Sequence, residues 1–153
     1  KVISAVEKAN EFQKNVIFNK ISRHFGNDLK SKSIAVWGLS FKPKTDDIRE
    51  SSAVYLVKKL VDAGVNVRVY DPAAMDETRK QLGNSVYYAE NHYDAIKGVD
   101  ALALLTEWAE FHLPDLEKMS KLMHEKTIFD GRNIYDPEEM RKKGFCYHGI
   151  GRK

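Results

Sequence analysis

The stretch FKPKTDDIRESS, Phe41 to Ser52, sets lysines, aspartates and an arginine between the apolar run SIAVWGL and the amphipathic segment AVYLVKKLVDAG. A strand-to-helix turn that cradles a phosphate with backbone amides usually carries several glycines, because only glycine permits so close an approach. This turn has one, Gly38. An anion held here would need side chains, and Lys42, Lys44 and Arg49 supply the charge. Arg132 in FDGRN and Trp108 in TEWAEF are suited to the same ligand. Cations make charge-assisted hydrogen bonds to phosphate, and an aromatic face suits a flat base or sugar. Any one of these lysines taken alone is an ordinary solvated loop residue; only their shared placement argues for a ligand.

Other chemistry-bearing residues read more plainly. Asp71 in VYDP stands where dinucleotide-binding folds keep a ribose-binding acid. Without a G-x-G-x-x-G partner it is expected to form a turn before Pro72. Asp46-Asp47 could suggest a metal or phosphoacceptor pair, but that arrangement needs an Asp closing the third strand, and VYYAEN has none. His24, His92, His112, His124 and His148 share no metal-ligand spacing, so no metal site is expected. Cys146, between Phe145 and Tyr147, is expected to be a buried small residue rather than a nucleophile. Trp37 is expected in the core.

At 153 residues and 42% hydrophobic, the chain can bury one sizeable core. Its 25 basic and 22 acidic residues interleave to a net charge of +3, without the basic block that nucleic-acid binding would show. A single cysteine excludes internal disulfides and suggests a reducing, cytoplasmic setting. No apolar run approaches the roughly 20 residues of a membrane span, and none resembles a signal peptide. The start at Lys1, without Met and partway into a helical pattern, suggests a piece of something longer.

These residues need a scaffold. Residues 1–25 read as one helix, with Val2, Ala5, Val6, Ala9, Phe12, Val16, Ile17 and Ile21 on one side. The apolar face is wide enough either to pack on its own domain or to form an interface. Beyond it, strands are predicted at 33–38, 65–70, 86–89, 101–105, 127–130 and 146–150. Helices are predicted near 50–63, 73–82, 91–98, 115–124 and 136–143. Asp47 with Glu50 offers a capping-box start for the first of these helices and Gly64 a stop. The near-continuous apolar runs IAVW and ALALL suit strands buried on both faces. The fold expected is α/β: a Rossmann-like, doubly wound, mostly parallel six-stranded sheet preceded by a long helix. With strand order 3-2-1-4-5-6, ligands bind between the first and fourth strands, beyond the carboxyl ends. The loops carrying Lys42, Trp108 and Arg132 would converge there.

Together WGLSFKPKTDDIRESS, YDP, LLTEWAEF, IFDGRNIYDP and GFCYHGIGR resemble the C-terminal UDP-binding domain of the UDP-glucose/GDP-mannose dehydrogenase family. The resemblance covers nearly the whole chain, and TEW with FDGRN favours the branch acting on UDP-glucose over sister enzymes using UDP-N-acetylmannosamine or GDP-mannose. It implies oxidation of a sugar C6 alcohol to a carboxylate in two NAD-dependent steps through a cysteine-bound intermediate. It further implies UDP-glucose contacts from Phe41, Lys42 and Arg132, and an NAD contact from Arg49. Residues 1–26 would be the end of a central helix that links to an N-terminal NAD-binding domain of the same chain and pairs in a homodimer. Residues 31–153 would be the UDP-sugar-binding domain. The family's glycine-rich NAD fingerprint and GGxCxxKD nucleophile segment are absent, and Cys146 does not match that nucleophile. No catalytic residue is therefore expected here, and the fragment alone would be inactive. A stand-alone nucleotide-binding module is the alternative of a different class.

Overall fold

The computed structural model describes residues 15–40, 48 and 51–150. Helix α1 occupies residues 15–24. After it come β1 (Ser33–Trp37), α2 (Ser52–Asp62), β2 (Asn66–Tyr70), α3 (Met75–Leu82), β3 (Tyr87–Tyr88) and α4 (His92–Ala95). The second half runs β4 (Ala101–Leu104), a 3-10 turn (Ala109–Phe111), α5 (Leu116–Leu122), β5 (Thr127–Asp130), α6 (Pro137–Lys142) and β6 (Cys146–Gly149). The strands form one six-stranded sheet in the order β3-β2-β1-β4-β5-β6. Every pairing is parallel.

Strand alternation sorts the apolar residues into two cores. Ile34, Val36, Val67, Val69, Ala101, Ala103 and Phe129 face a layer built by α1, α2 and the start of α3. Ala35, Trp37, Leu102, Leu104, Ile128 and Tyr147 face the layer of α4, α5 and α6. Trp37 is fully buried, stacks on Phe111 at 5.1 Å and donates its indole N–H to the His92 carbonyl. A buried indole thus keeps its hydrogen bond, as its polar edge requires.

Among its described residues, α1 packs on its own domain. Ile17 and Ile21 are buried in the first core, and Phe18 and Phe25 pack against it. Lys59 and Tyr55 of α2 donate to Asn15 Oδ1 at 2.9 and 3.4 Å. Each fully buried isoleucine contributes about 1.5–3 kcal/mol, against about 0.5–1.5 kcal/mol net for an ordinary hydrogen bond. Apolar burial is therefore what holds this part of the helix. Val2, Ala5, Val6, Ala9 and Phe12 lie outside the described residues.

Two local expectations need correction. Helix α2 starts at Ser52, and its N-cap is Ser51, whose hydroxyl accepts from Val54 N–H; Asp47 and Glu50 lie outside the described residues. The segment ESS offered several capping side chains, and Ser51 wins because its hydroxyl also donates to the Leu39 carbonyl at 2.6 Å. Cys146 is exposed, not buried. It opens the edge strand β6, where the side chains of Tyr147 and Cys146 point to opposite faces; Tyr147 is buried, whereas the other face is covered only in part, at His148.

Candidate functional site

The sheet order reverses between β1 and β4, so the crevice lies beyond Trp37 and Leu104. Gly38 opens the loop after β1 with φ +96°, a conformation that favours glycine. A Cβ there would stand 2.5 Å from Thr106 Cβ, so the loops after β1 and β4 touch at this point. Thr106, fully buried, donates its hydroxyl to the Ser40 carbonyl at 3.0 Å. The β4 loop is held in turn by Leu105 N–H on the Trp37 carbonyl and by Gly131 N–H on the Leu104 carbonyl.

Asp71 is the centre of this arrangement. It closes β2 and is 1% exposed. One carboxylate oxygen accepts the N–H groups of Ala73 and Ala74, both at 2.8 Å. The other accepts Leu39 N–H at 2.7 Å, Ser40 N–H at 3.3 Å and the Trp108 indole N–H at 3.2 Å. The turn before Pro72 is thus real, but it uses only one oxygen; the other ties the loops after β1 and β4 together. These longer links join residues 32 and 37 positions apart. The visible cue was an Asp closing a strand beside the switch point.

The electrostatics are uneven across the crevice. On the β2 side, burial and the Asp71 charge push the Glu110 carboxyl up. Tyr70 is raised by burial and then by Glu110 and Asp71. His92 is pushed down by burial and by Lys118. Its Nδ1 lies 3.4 Å from Glu110 Oε2, close enough for attraction but without hydrogen-bond alignment. On the β5 side stands Arg132, exposed, its Nε–H donating to the Leu105 carbonyl at 2.9 Å. Its backbone N–H caps Asp130 Oδ1 at 3.0 Å. Asp130, fully buried, also accepts Tyr135 N–H at 3.0 Å and the Tyr147 hydroxyl at 2.7 Å. Desolvation drives the Tyr135 hydroxyl far above its ordinary value, and it donates to the Phe111 carbonyl at 2.6 Å.

Arg132 and Trp108 thus stand at the expected edge, each fixed by a hydrogen bond to a neighbouring loop. Phe41, Lys42, Lys44 and Arg49 lie outside the described residues. Of the described residues nearest to them, Ser40, Ile48 and Ser51 are buried. Elsewhere, a surface cavity of about 570 Å³ is lined by Pro114, Asp115, Leu116, Glu117, Ser120 and Lys143. It lies away from the carboxyl edge of β1 and gathers none of the expected residues. Among the described residues no helix is long and apolar enough to cross a membrane.

Fold and crevice define a doubly wound parallel α/β domain that presents its ligand edge at the β1–β4 switch point. Residues 35–137 match the UDP-binding domain of the UDP-glucose/GDP-mannose dehydrogenase family. The chain belongs to that family and corresponds to its C-terminal domain. Over 99% of its length it is 38% identical to UDP-glucose 6-dehydrogenase of Pseudomonas aeruginosa, covering 34% of that protein. It is 39% identical, again over 99%, to a UDP-glucose 6-dehydrogenase of Bacillus subtilis, covering 33% of it. Among solved structures, a UDP-glucose dehydrogenase from Pyrobaculum islandicum superimposes with a TM-score of 0.82 at 30% identity, over 98% of this chain and 32% of that one. A UDP-D-ManNAc dehydrogenase from Pyrococcus horikoshii gives 0.71 at 30% identity, over 95% and 31%. The chain therefore spans about a third of the length of these two UDP-glucose 6-dehydrogenases.

Proposed function

We propose that the chain is the C-terminal part of a NAD-dependent UDP-glucose 6-dehydrogenase and supplies the wall of the active site that grips UDP-glucose. Residues 31–153 form the sugar-nucleotide domain. Residues 1–26 end the helix that leads to an N-terminal NAD-binding domain and pairs in a homodimer. The observation that carries the reading is the convergence of the loops after β1, β4 and β5 at one switch point, in a chain that matches the equivalent third of UDP-glucose 6-dehydrogenases over 99% of its own length.

The charge distribution sets the direction of the ligand. Asp71 and Glu110 make the β2 side unfavourable for a diphosphate, whereas Arg132 on the β5 side places a guanidinium, a charge that suits phosphate, at the same edge. Lys42 adds a second cation from the β1 loop, Phe41 an aromatic face, and Arg49 reaches the NAD. Helix α2, capped by Ser51 at the same edge, contributes the positive end of its dipole. Side-chain cations and a helix end thus replace the glycine-rich cradle. The hydride acceptor and the nucleophilic cysteine belong to the N-terminal part, so this chain binds and orients but performs no covalent step.

The test is calorimetric titration with UDP-glucose, UDP-N-acetylmannosamine and GDP-mannose in parallel. UDP-glucose should bind most tightly, and addition of NAD should give no reduction. Tighter binding of either other sugar nucleotide would move the chain to a sister activity. Turnover abolished by Cys146→Ser would overturn the assignment of the chemistry to the N-terminal part.

A further inference from the structure

Away from the crevice, at the β6 edge of the sheet, three donor side chains meet. Cys146 and His148 are two apart on β6, so strand alternation puts them on the same face. Cys146 Sγ and His148 Nε2 are 3.4 Å apart. Helix α1 ends on this face, and the His24 ring stands edge-on to that of His148 with centroids 5.2 Å apart. One donor atom from each of His24, Cys146 and His148 lies within 4.8 Å of the others. The rings have a firm floor: His148 stacks on Phe129 at 4.7 Å and 9°, and His24 meets Phe129 edge-on at 5.7 Å. Cys146 and His24 are exposed and His148 is half-buried, so an ion can enter from solvent.

We propose that His24, Cys146 and His148 form a binding site for a borderline-soft transition-metal ion, Zn²⁺ in the first instance, which clasps the end of α1 to the edge strand. Thiolate and neutral imidazole are the donors Zn²⁺ takes, at about 2.0–2.3 Å and in tetrahedral geometry. Donor atoms around such an ion stand about 3.3–3.8 Å apart, the edge of a tetrahedron with bonds of that length. The Cys146–His148 pair already stands at this separation. Only His24 must close in, and its place at the end of a helix permits that by side-chain rotation. The fourth position is left to water. Ca²⁺ and Mg²⁺ are excluded by chemistry, since they demand oxygen ligands and the cluster holds none. Binding displaces the thiol proton of Cys146 to the buffer, leaving the thiolate as ligand. Sequence spacing gave no hint, because the donors span 124 positions and meet only through α1 packing across β5 and β6.

A second grouping, Asp100, His124 and Glu125, brings donors equally close but has no soft ligand. Its Asp100–His124 pair is already joined at 2.8 Å, so it serves as the internal control. The reduced, chelator-treated protein is titrated with Zn²⁺ by calorimetry and with Co²⁺ by absorbance. The expected result is one ion per chain and a thiolate-to-cobalt charge-transfer band. Outer-shell partners of a metal ligand are already worth about 10–100-fold in affinity. Losing a direct ligand in Cys146→Ser, His148→Gln or His24→Gln should therefore weaken Zn²⁺ at least about tenfold. Cys146→Ser should also abolish the band, and His124→Gln should change neither. Zn²⁺ should protect Cys146 from alkylation. His24 and Cys146 are exposed and His148 is half-buried, and unchanged circular dichroism certifies that the variants fold. Equal Zn²⁺ affinity in the parent and Cys146→Ser, a Co²⁺ complex without the band, or no binding by the parent would each overturn the site.

Discussion

Asp71 and Asp130 close different strands, are both buried and both accept backbone N–H groups, yet they organise different amounts of the molecule. In each, one oxygen builds the local turn: Ala73 and Ala74 N–H on Asp71, Arg132 N–H on Asp130. The second oxygen differs. That of Asp130 stays within its own corner, taking Tyr135 N–H and the Tyr147 hydroxyl of the adjacent strand. That of Asp71 reaches Leu39, Ser40 and Trp108, on both sides of the switch point. A buried carboxylate at a strand end is a structural device in either place. Only where its reach spans the crevice does it tie two loops of the switch point together.

Replacement at Asp71 should therefore cost the most, in both stability and binding. Asp71→Asn keeps the shape but turns an amide NH₂ toward one set of donors. Each buried donor left unpaired costs about 1–3 kcal/mol, so a loss of about 3 kcal/mol or more in denaturant unfolding is expected. UDP-glucose affinity should fall about tenfold or more, corresponding to about 1.4 kcal/mol. A variant that unfolds earlier yet binds normally would break the distinction between the two aspartates.

The matching change on the other side is Tyr147→Phe, which removes one donor from Asp130 and leaves the crevice loops untouched. A hydrogen bond to a charged acceptor is worth about 1.5–3 kcal/mol. Stability should drop by that amount while sugar-nucleotide affinity holds. A parallel loss of affinity would show that the β5 corner also positions the ligand.

The smallest effect belongs to the exposed His124 and its partner Asp100, whose other oxygen accepts Ser33 N–H at 2.9 Å. Burial alone would raise Asp100, but the Ser33 N–H and His124 outweigh it and hold the carboxyl below its ordinary value. The hydrogen bond to Asp100, and then its charge, raise His124. The His124 share is full below its ordinary value of 6.5 and is lost as pH rises through the higher folded value. The Asp100 share is present above its ordinary 3.8 and is lost as pH falls through the lower folded value. Melting temperatures of the parent and His124→Gln should thus differ in the mildly acidic window and converge at alkaline pH. A pH-independent gap would refute the pairing.

The architecture was largely legible because strands buried on both faces write themselves as apolar runs. IAVW and ALALL became β1 and β4, and 3-2-1-4-5-6 is the order found. Gly64, at φ +89°, follows α2 as expected. The legible part is local or periodic. The two reaches of Asp71 were not, because the acceptor and its partners are distant in sequence and VYDP explains only the nearer turn. Cys146 was misread because apolar neighbours imply burial only in a central strand; in edge strand β6 one face is covered only in part and leaves Cys146 exposed. The N-cap was misplaced because the residues before α2 offer several capping side chains and tertiary contact with Leu39 selects Ser51.

If the loop after β1 grips UDP-glucose through a specific cation, Lys42 and Lys44 must differ. Both variants, Lys42→Ala and Lys44→Ala, remove one positive charge from the same loop. If the Lys42 ammonium makes a charge-assisted hydrogen bond, worth about 1.5–3 kcal/mol, its loss should weaken UDP-glucose about tenfold to a hundredfold. Lys44→Ala should cost little. A general electrostatic effect would weaken both alike and fade with salt. Calorimetric titration of the two variants at fixed ionic strength should separate them, with Lys42→Ala the weaker binder. Equal losses, or a larger loss at Lys44, would contradict the account.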